Sequence, residues 1–282
     1  MQFHNSNADL FIPDGTVPEA ALARTTHLCI AAHQDDIEIM AYHGIAECFG
    51  QADKWFAGIV ATSGAGSPRS GIYGGYSDQE MQKVRLLEQR KAAYVGDYAC
   101  QLQLGYTSAQ VKNAGETALV DDLKQILRAM RPDVVYLHNP ADKHDTHIGV
   151  LLRSIAALRG VRDTVRPKKV YGCEVWRDLD WMPDADKQVL PSSAKPNIAA
   201  ALVGVFDSQI SGGKRYDLAT AGRRVANATY FASHGTDQET ALSFAMDLTP
   251  LVEDPSLSIT GYVLGLVDNF RNDVERRLSS FN

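Results

Sequence analysis

The sequence has few cysteines, no long apolar run and no cluster of basic residues. Its four cysteines, Cys29, Cys48, Cys100 and Cys173, are dispersed and form no Cys-x-x-Cys pair. We therefore expect reduced thiols in the core and no structural zinc held by cysteine. No stretch approaches the ~18 consecutive apolar residues of a membrane-spanning helix. The formal net charge of −6 disfavours nucleic acid as a partner, because a basic surface is needed to displace phosphate counterions.

The first residues also lack the pattern of an export signal. The segment before Thr25 contains Asp9, Asp14 and Glu19, whereas a signal peptide has a basic start followed by an apolar run. We therefore expect a cytoplasmic protein that has no membrane partner. Its 282 residues, 45% hydrophobic and 22% charged, are typical of a soluble globular fold with a sizeable core.

Short apolar runs alternate with helical patterns in the first 160 residues. Apolar runs of strand length, separated by helices, are typical of parallel strands that are buried on both faces. The sequence therefore predicts an α/β fold with a Rossmann-like, doubly wound and mostly parallel sheet and helices on both faces. The predicted strands are 27–32, 55–61, 99–104 and 134–138, and the predicted helices are 36–49, 78–98, 116–130 and 147–158.

The rest of the chain is less regular. Ser77-Asp-Gln-Glu80 is a capping box that starts the second helix, and Arg131-Pro132 stops the third. Beyond residue 160 the sequence predicts strands at 169–177 and 200–206, a helix at 216–230, a loop at 191–196 and a C-terminal helix at 257–278 with Arg271, Arg276 and Arg277 exposed.

Histidine and aspartate side chains follow two of the predicted strands. His33-Gln-Asp35-Asp36 comes after the first strand, and His138 to His147 comes after the fourth. Ligands of open parallel sheets collect beyond the carboxyl ends of the strands, so we expect the two segments to meet. His33, Asp36 and His147 then supply two imidazoles and a carboxylate, the usual protein ligands of catalytic Zn²⁺. The same set also suits Fe²⁺.

Two further residues of these segments have the right chemistry for hydrolysis. Adjacent side chains diverge at a turn, so Asp35 remains available as a general base beside the metal. His144, three residues before His147, is placed to stabilise an oxyanion or to protonate the leaving amine. Asp142 or Asp145 would hold the ring of His144 and raise its pKa.

Simpler interpretations exist for some of these residues. The aspartates alone would be explained as acidic residues at a helix N-terminus, but that does not explain the histidines. We interpret His138 as a strand-end residue without a special role. The loop from Gly64 to Arg69 lacks the Lys-Ser/Thr of a phosphate-binding P-loop, so we expect a flexible wall of the site, with Arg69 a candidate for holding the substrate.

The two motifs together resemble the PIG-L/LmbE superfamily of zinc-dependent deacetylases. Members carry Ala-His-Pro-Asp-Asp-Glu and a later His-x-x-His; this chain has the corresponding motifs at 32–37 and 144–147. The pattern Arg85-x-x-Glu88-x-x-x-Ala92 ending at Gly96, and Asp207 before a basic helix, are also similar to the family. Gln34 replaces the family's proline, and Ile37 replaces its glutamate, with Glu38 one position later.

The resemblance implies roles for the same residues. His33, Asp36 and His147 would be the zinc ligands, Asp35 the general base and His144 the acid or oxyanion stabiliser. His234, in Ser233-His234-Gly235, is similar to a late family histidine near the substrate. The resemblance further implies one LmbE-like domain over residues 1–282, with a core of about 25–240 and a C-terminal helical segment of about 241–282.

The function implied is hydrolysis of an N-acyl group, with N-acetyl expected, from an amino sugar or sugar-like amine, which would be the small-molecule partner. Alternatives are cleavage of a different amide conjugate and a non-catalytic metal-containing sugar-binding protein. A nucleotide-binding oxidoreductase is disfavoured because the first strand is not followed by Gly-x-Gly-x-x-Gly. A homo-oligomer is compatible with the sequence. Loops 63–76 and 176–196 would select the substrate, with Tyr73, Tyr76, Trp176 and Trp181 as candidates for stacking on a sugar.

Overall fold

A computed structural model describes residues 1–281 and shows one eight-stranded mixed sheet. In the order of the chain the strands are β1 (Asp9–Phe11), β2 (His27–Ala31), β3 (Phe56–Thr62), β4 (Cys100–Tyr106), β5 (Val134–His138), β6 (Lys169–Cys173), β7 (Gln188–Pro191) and β8 (Leu242–Asp247). The order across the sheet is β1-β4-β3-β2-β5-β6-β8-β7. The five central strands, β4, β3, β2, β5 and β6, are parallel to one another. Strand β1 is antiparallel to β4, and β8 is antiparallel to both of its neighbours, β6 and β7.

Helices cover both faces of this sheet. They are α1 (Pro18–Ala23), α2 (Asp36–Met40), α3 (Tyr42–Cys48), α4 (Asp78–Val95), α5 (Ser108–Lys112), α6 (Ala118–Met130), α7 (Asp145–Val161), α8 (Pro196–Gly204), α9 (Asp207–Ile210), α10 (Tyr216–Tyr230), α11 (Thr249–Glu253) and α12 (Ile259–Ser279). Two buried apolar clusters lie on opposite faces. Alternate residues of β2 divide between them, with Leu28 and Ile30 in one and Cys29 and Ala31 in the other. The predicted doubly wound, mostly parallel fold is confirmed.

The helix predicted for 36–49 is broken in two. Arg224 of α10 donates from Nη2 to the carbonyl oxygens of Glu38, at 2.8 Å, and Ile39, at 3.1 Å. In an unbroken helix these carbonyls would accept from the backbone four residues later. The buried guanidinium takes that place, and the backbone turns at Ala41 between α2 and α3. The break is therefore produced by a residue almost two hundred positions away.

The strand predicted at 200–206 is wrong, because these residues lie in α8 and just beyond it. Pro196 occupies the first turn, where its fixed φ suits a helix, and the alanines that follow are strong helix formers. The helix buries Leu202 and Val203 and contacts α2, α4 and α10. A short apolar run cannot be assigned to a strand or a buried helix from its pattern alone.

Three smaller expectations also need correction. The strand predicted at 169–177 ends at Cys173. The helix predicted from His147 begins at Asp145, with His144 at the capping position, so it starts two residues earlier than predicted. The segment from 241 was expected to be helical, but it begins with β8, which pairs with β6 and β7. Helix α12 follows, and its Arg271, Arg276 and Arg277 side chains are exposed as predicted.

The four cysteines are free and buried, as predicted. Within residues 1–281, none of the helices combines the length and apolar character needed to cross a membrane.

Candidate metal and catalytic site

The two polar segments meet at the carboxyl edge of the central strands. Strands β2 and β5 are neighbours, so the loops that follow them are adjacent. His33 Nδ1 lies 3.2 Å from both His147 Nε2 and Asp36 Oδ2, and His147 Nε2 lies 3.3 Å from Asp36 Oδ2. Three side chains predicted as metal ligands thus point three donor atoms at one position.

The turn after β2 has the unusual backbone that this convergence requires. Asp35 has a φ of +87°, which is strained for a residue with a side chain. The turn is held by Asp36, whose Oδ2 accepts from the backbone N–H of His33 at 2.7 Å. Asp36 therefore fixes the position of His33 as well as offering an oxygen of its own.

His147 reaches the same position from the first turn of α7. Its Nδ1 lies 3.1 Å from Asp142 Oδ2, and both side chains are fully buried. An Nδ1 proton donated to Asp142 leaves the Nε2 lone pair facing His33 and Asp36, the arrangement typical of a metal-binding histidine. The expectation that Asp142 would hold His144 is wrong at the level of the ring, since Asp142 accepts only the backbone N–H of His144, at 3.2 Å.

The charges around this position fit a divalent cation. Although burial lowers the pKa of His147, the carboxylates of Asp36 and Asp142 raise it to about 9. Burial also raises the pKa of Asp36, but His147 and His33 hold it well below its usual range. The site therefore favours positive charge between these side chains. Two imidazole nitrogens and a carboxylate oxygen are ligands that Zn²⁺ and Fe²⁺ accept.

Asp35 lies beside the three donor atoms and is not one of them. Its Oδ2 lies 3.3 Å from Arg85 Nη2, and its backbone N–H donates to Gln89 Oε1 at 3.3 Å. Burial raises the pKa of Asp35 to about 7, with Asp36 adding to the rise and Arg85 opposing it. A buried carboxyl that titrates near neutrality has the properties of a general base.

Arg85 connects this turn to α4. Its Nη2 also donates to the carbonyl oxygen of Gln34, and its side chain is only 2% exposed. Within residues 1–281 its Nε and Nη1 atoms have no hydrogen-bond partner. The position of Asp35 therefore depends on a helix that begins more than forty residues later.

His144 lies beside His147 and lines the cavity. Its ring is half-buried, stacks on His147 at 4.5 Å between centroids and lies 6.0 Å from the Trp176 ring. Burial lowers the pKa of His144, with His147 contributing in the same direction, so the predicted rise of this pKa is wrong. Asp145 does not hold the ring either, because it is exposed at the start of α7.

His138 is more than the strand-end residue that we expected. It is fully buried, and its ring stacks on His147 at 3.9 Å between centroids. Two rings cannot occupy the same face, so His147 is held between His138 and His144. His138 Nε2 accepts the backbone N–H of Ala32 at 2.9 Å, which occupies its lone pair and ties the end of β5 to the end of β2. Strands β2 and β5 are parallel neighbours, so a histidine at the end of β5 lies within reach of the end of β2. This position was the signal that could have identified the role of His138.

A cavity of about 1070 Å³ opens over the site, and its lining includes His33, Asp35, Asp36 and His144. The loop 63–76 forms part of its wall through residues Ser63 to Pro68, as predicted, but of the loop 176–196 only Trp176 lines the cavity. Of the other aromatic candidates, Tyr73 is buried and donates to Asp207 Oδ2 at 2.6 Å, while Tyr76 and Trp181 lie outside the lining.

Two proposed substrate residues are not at the cavity. Arg69 donates to the carbonyl oxygens of Ala65, at 2.6 Å, and Tyr76, at 2.8 Å, and pairs with Asp78, so it braces the loop instead of facing the substrate. His234 is exposed in the loop after α10 and is outside the lining. Residue type alone could not show that Arg69 and His234 lie outside the cavity.

The departures from the family motif lie in a buried polar layer beneath the turn. Gln34 donates to Gln103 Oε1 at 3.2 Å and to the carbonyl oxygen of Thr62 at 3.3 Å. Glu38 is fully buried and accepts from Gln89 at 2.9 Å and Tyr98 at 2.8 Å. Burial raises its pKa to about 8. Glu38 thus points into this buried layer and does not line the cavity, and Ile37 packs in the core.

The fold and the turn motifs match a known family. The family model described as PIG-L, GlcNAc-PI de-N-acetylase, matches residues 28–157, which contain both polar segments. This segment, somewhat under half of the chain, is therefore similar to the PIG-L family. The match confirms the resemblance found in the motifs. No curated protein matches the chain significantly in sequence.

Solved structures share the fold of this chain over most of its length. The conserved protein TT1542 from Thermus thermophilus is 19% identical, with a TM-score of 0.63 over 82% of this chain and 98% of that one. GalB, the 4-carboxy-2-hydroxymuconate hydratase from Pseudomonas putida, is 16% identical, with a TM-score of 0.61 over 79% and 95%. The N,N'-diacetylchitobiose deacetylase from Pyrococcus horikoshii is 14% identical, with a TM-score of 0.60 over 79% and 84%. At these identities the likeness establishes the fold.

Proposed function

We propose that the chain is a metal-dependent hydrolase that removes an N-acyl group from an amino sugar or sugar-like amine. Acetyl is the acyl group that we expect. The observation that carries this proposal is the convergence of His33, Asp36 and His147 within 4.8 Å, beside Asp35 and at the base of the large cavity. The PIG-L match and the deacetylase of the same fold support the choice of reaction.

The metal ligands we propose are His33, Asp36 and His147. A divalent metal held by them would act as a Lewis acid on the acyl carbonyl and would lower the pKa of a water from 15.7 to about 7. Asp142 orients His147 for this role through the hydrogen bond at Nδ1, and His138 supports the ring from the opposite face to His144.

Asp35 is the proposed general base. It accepts a proton from the attacking water, and Arg85 holds its carboxylate in place at Oδ2. His144 lines the cavity, as Asp35 does, and is the proposed donor to the acyl oxygen or the leaving amine. A protein that only bound sugar would need neither group, so their presence favours turnover over the non-catalytic alternative.

The fold alone does not select hydrolysis, since GalB is described as a hydratase. The test is therefore a chemical one: free amine and acetate are measured after incubation with a panel of N-acetylated sugars, with metal-loaded and with chelated protein. We expect equimolar amine and acetate from at least one substrate, and loss of both on chelation. If the substrate is a different amide, this panel gives neither product, and a second panel with other N-acyl groups gives free amine together with the matching acid. Hydration of an unsaturated acid without amine release from any amide would refute the proposal.

A further inference from the structure

Helix α12 is 21 residues long, yet none of its residues is buried. Throughout Ile259–Ser279, all of which the structure describes, every side chain keeps part of its surface exposed. One side of the helix lies against the fold, where Tyr262 donates to the carbonyl oxygen of Asp247 at 2.6 Å and Leu266 packs at the edge of the core. Most of the stability of a helix in a protein comes from the packing of an apolar face. The apolar residues on the other sides of α12 are therefore open to a further contact.

A continuous apolar stripe runs along one lateral side of α12. Helical residues are about 100° apart, so positions three, four or seven apart share a side. The residues of this lateral stripe, all within about 40° of Val274, are Val267, Phe270, Val274, Leu278 and Phe281. Phe281 continues the last turn, since its backbone N–H donates to the carbonyl oxygen of Leu278 at 3.3 Å, and these two side chains are 92% and 65% exposed. Single exposed apolar residues are ordinary on a protein surface, but a continuous row of them marks an interaction site.

The charged residues around the lateral stripe are balanced in sign. Between residues 268 and 277 they are Asp268, Asp273, Glu275, Arg271, Arg276 and Arg277. A helix that binds a lipid surface carries an excess of lysine and arginine on its polar face, whereas this segment has no net charge. A partner for it must supply both signs in a similar arrangement, and a second copy of α12 does so.

A second α12 that runs antiparallel to the first matches the lateral stripe to itself. In a pair with two-fold symmetry, a residue on one side of the axis contacts the residue equally far on the other side. With the axis at Val274, the two Val274 side chains pack on each other. Phe270 then lies opposite Leu278 of the second copy, and Val267 lies opposite Phe281. Each phenylalanine thus meets an aliphatic side chain.

The charges beside the stripe also pair in this arrangement. Each flank of one helix faces the same flank of the other helix in reverse order. Arg271 and Glu275 share one flank, so each Arg271 faces the Glu275 of the second copy. Arg277 and Asp273 share the other flank and are related in the same way. Among residues 1–281 no cation lies within ion-pair distance of Glu275, so its carboxylate is open to this contact.

We propose that the lateral stripe of α12 is a self-association surface, on which two copies of the chain form an antiparallel helix pair centred on Val274. One helix of about 15 residues from each copy gives an interface below about 1,200 Å² in total, the range of weak and transient complexes. We therefore expect a dimer with a Kd of about 1–100 µM. Among the described residues, α12 contributes none to the cavity lining, so the proposal is independent of the proposed function.

The first test is sedimentation equilibrium of the full chain between about 1 and 500 µM, which brackets the expected Kd. We expect a monomer–dimer equilibrium that Val274→Arg weakens by about tenfold or more, since this change places two like charges together at the axis. Val225→Arg is the matched control, because Val225 is 54% exposed on α10, outside the lateral stripe, and it should leave the Kd within about twofold. Val274 is itself exposed, so circular dichroism should show an intact fold in both variants.

Two charge variants test the antiparallel orientation. Arg271→Glu and Glu275→Arg each place like charges face to face in a homodimer, so each should associate more weakly than the wild type. When the two variants are mixed, with one of them fluorescently labelled, every such pair in the heterodimer has opposite signs. The heterodimer should therefore be about tenfold tighter than either homodimer.

Three results would overturn the proposal: a wild type that stays monomeric at the highest concentration, an association that Val274→Arg leaves unchanged, or a mixture of the charge variants that gains no affinity. Binding of a monomeric chain to phosphatidylserine vesicles, measured by cosedimentation, would assign the lateral stripe to a lipid surface instead.

Discussion

Replacing Asp142 by asparagine should weaken metal binding although Asp142 is not itself a proposed ligand. Its two oxygens accept four hydrogen bonds. Oδ2 accepts from His147 Nδ1 at 3.1 Å and from the backbone N–H of Trp176 at 3.2 Å. Oδ1 accepts the backbone N–H groups of Lys143 and His144. An asparagine amide has one oxygen, so in either orientation its NH₂ group faces two donors.

The size of the effect follows from these contacts. The loss of a buried partner of a metal-binding histidine costs typically about 10- to 100-fold in metal affinity, or about 1.4–2.7 kcal/mol. A buried donor that loses its acceptor costs a further ~1–3 kcal/mol of folding stability. We therefore expect Asp142→Asn to lower Zn²⁺ affinity by about 10- to 100-fold and the free energy of unfolding of the metal-free protein by about 2–4 kcal/mol.

The assay is a competition titration of metal-free protein against a chromophoric zinc chelator, together with urea unfolding. Asp145→Asn is the matched control. It makes the same change of charge three residues away, but Asp145 is exposed at the start of α7, where its interaction with the helix dipole is worth under ~1 kcal/mol. The control should leave the zinc affinity within about twofold. If Asp142→Asn bound zinc as tightly as the wild type while folded, or if both variants weakened it equally, the reasoning would be refuted.

The other predictions concern separate parts of the fold. Asp35→Asn should reduce amine release by about 10²–10⁴-fold and leave zinc affinity within about threefold, and a rate within threefold of the wild type would remove Asp35 as the base. Gly149→Ala should lower the free energy of unfolding by about 1–3 kcal/mol in urea, since the new Cβ would lie 2.9 Å from the carbonyl oxygen of Val111. Arg224→Met should destabilise by about 2–4 kcal/mol, because it leaves two buried carbonyls of α2 without a donor, and a neutral result would contradict its role at the break. The hydrogen bond and charge of Asp122 raise the pKa of His4, so the stability from this pair is full below the ordinary histidine pKa and is lost as pH rises through the folded value. Urea unfolding from pH 6 to 9 should show a smaller decline in His4→Gln than in the wild type, because Asp35, Glu38 and His147 titrate in both proteins and only the contribution of His4 is removed.

The parts of the fold predicted correctly are those fixed by local pattern. Strand β5 and helix α10 were predicted with the observed bounds, and Ser77 caps α4 through the expected capping box. In each case the hydrophobic pattern and the capping residues agree with the tertiary environment. Strands β1, β7 and β8 were missed, although β8 has large apolar residues at alternate positions, Leu242, Phe244 and Met246.

The errors arise where a distant residue decides the local structure. The break between α2 and α3 depends on the Arg224 guanidinium, and α8 is a helix because other helices surround it. Pro196 and the alanines that follow it also favour a helix locally, and the error was to assign this short apolar run to a strand from its length.

The candidate site divides in the same way. His33, Asp36 and His147 could be brought together from the sequence because the ends of parallel strands meet at one edge of a sheet. Their supporting residues could not be assigned in this way. A hydrogen bond depends on the direction in which a side chain points, and the spacing of residues in the sequence does not give that direction. Asp142 binds the ring of His147 instead of that of His144, and His138 supports His147 from one face.

The metal content of the protein tests the central claim most directly, namely that side chains from two loops a hundred residues apart form one metal centre. Metal-free wild type and His147→Ala are each dialysed against Zn²⁺, and the bound zinc per chain is measured by mass spectrometry. The account predicts about one tightly bound zinc per wild-type chain and none in folded His147→Ala. Equal zinc in the two proteins, or none in the wild type, would contradict it.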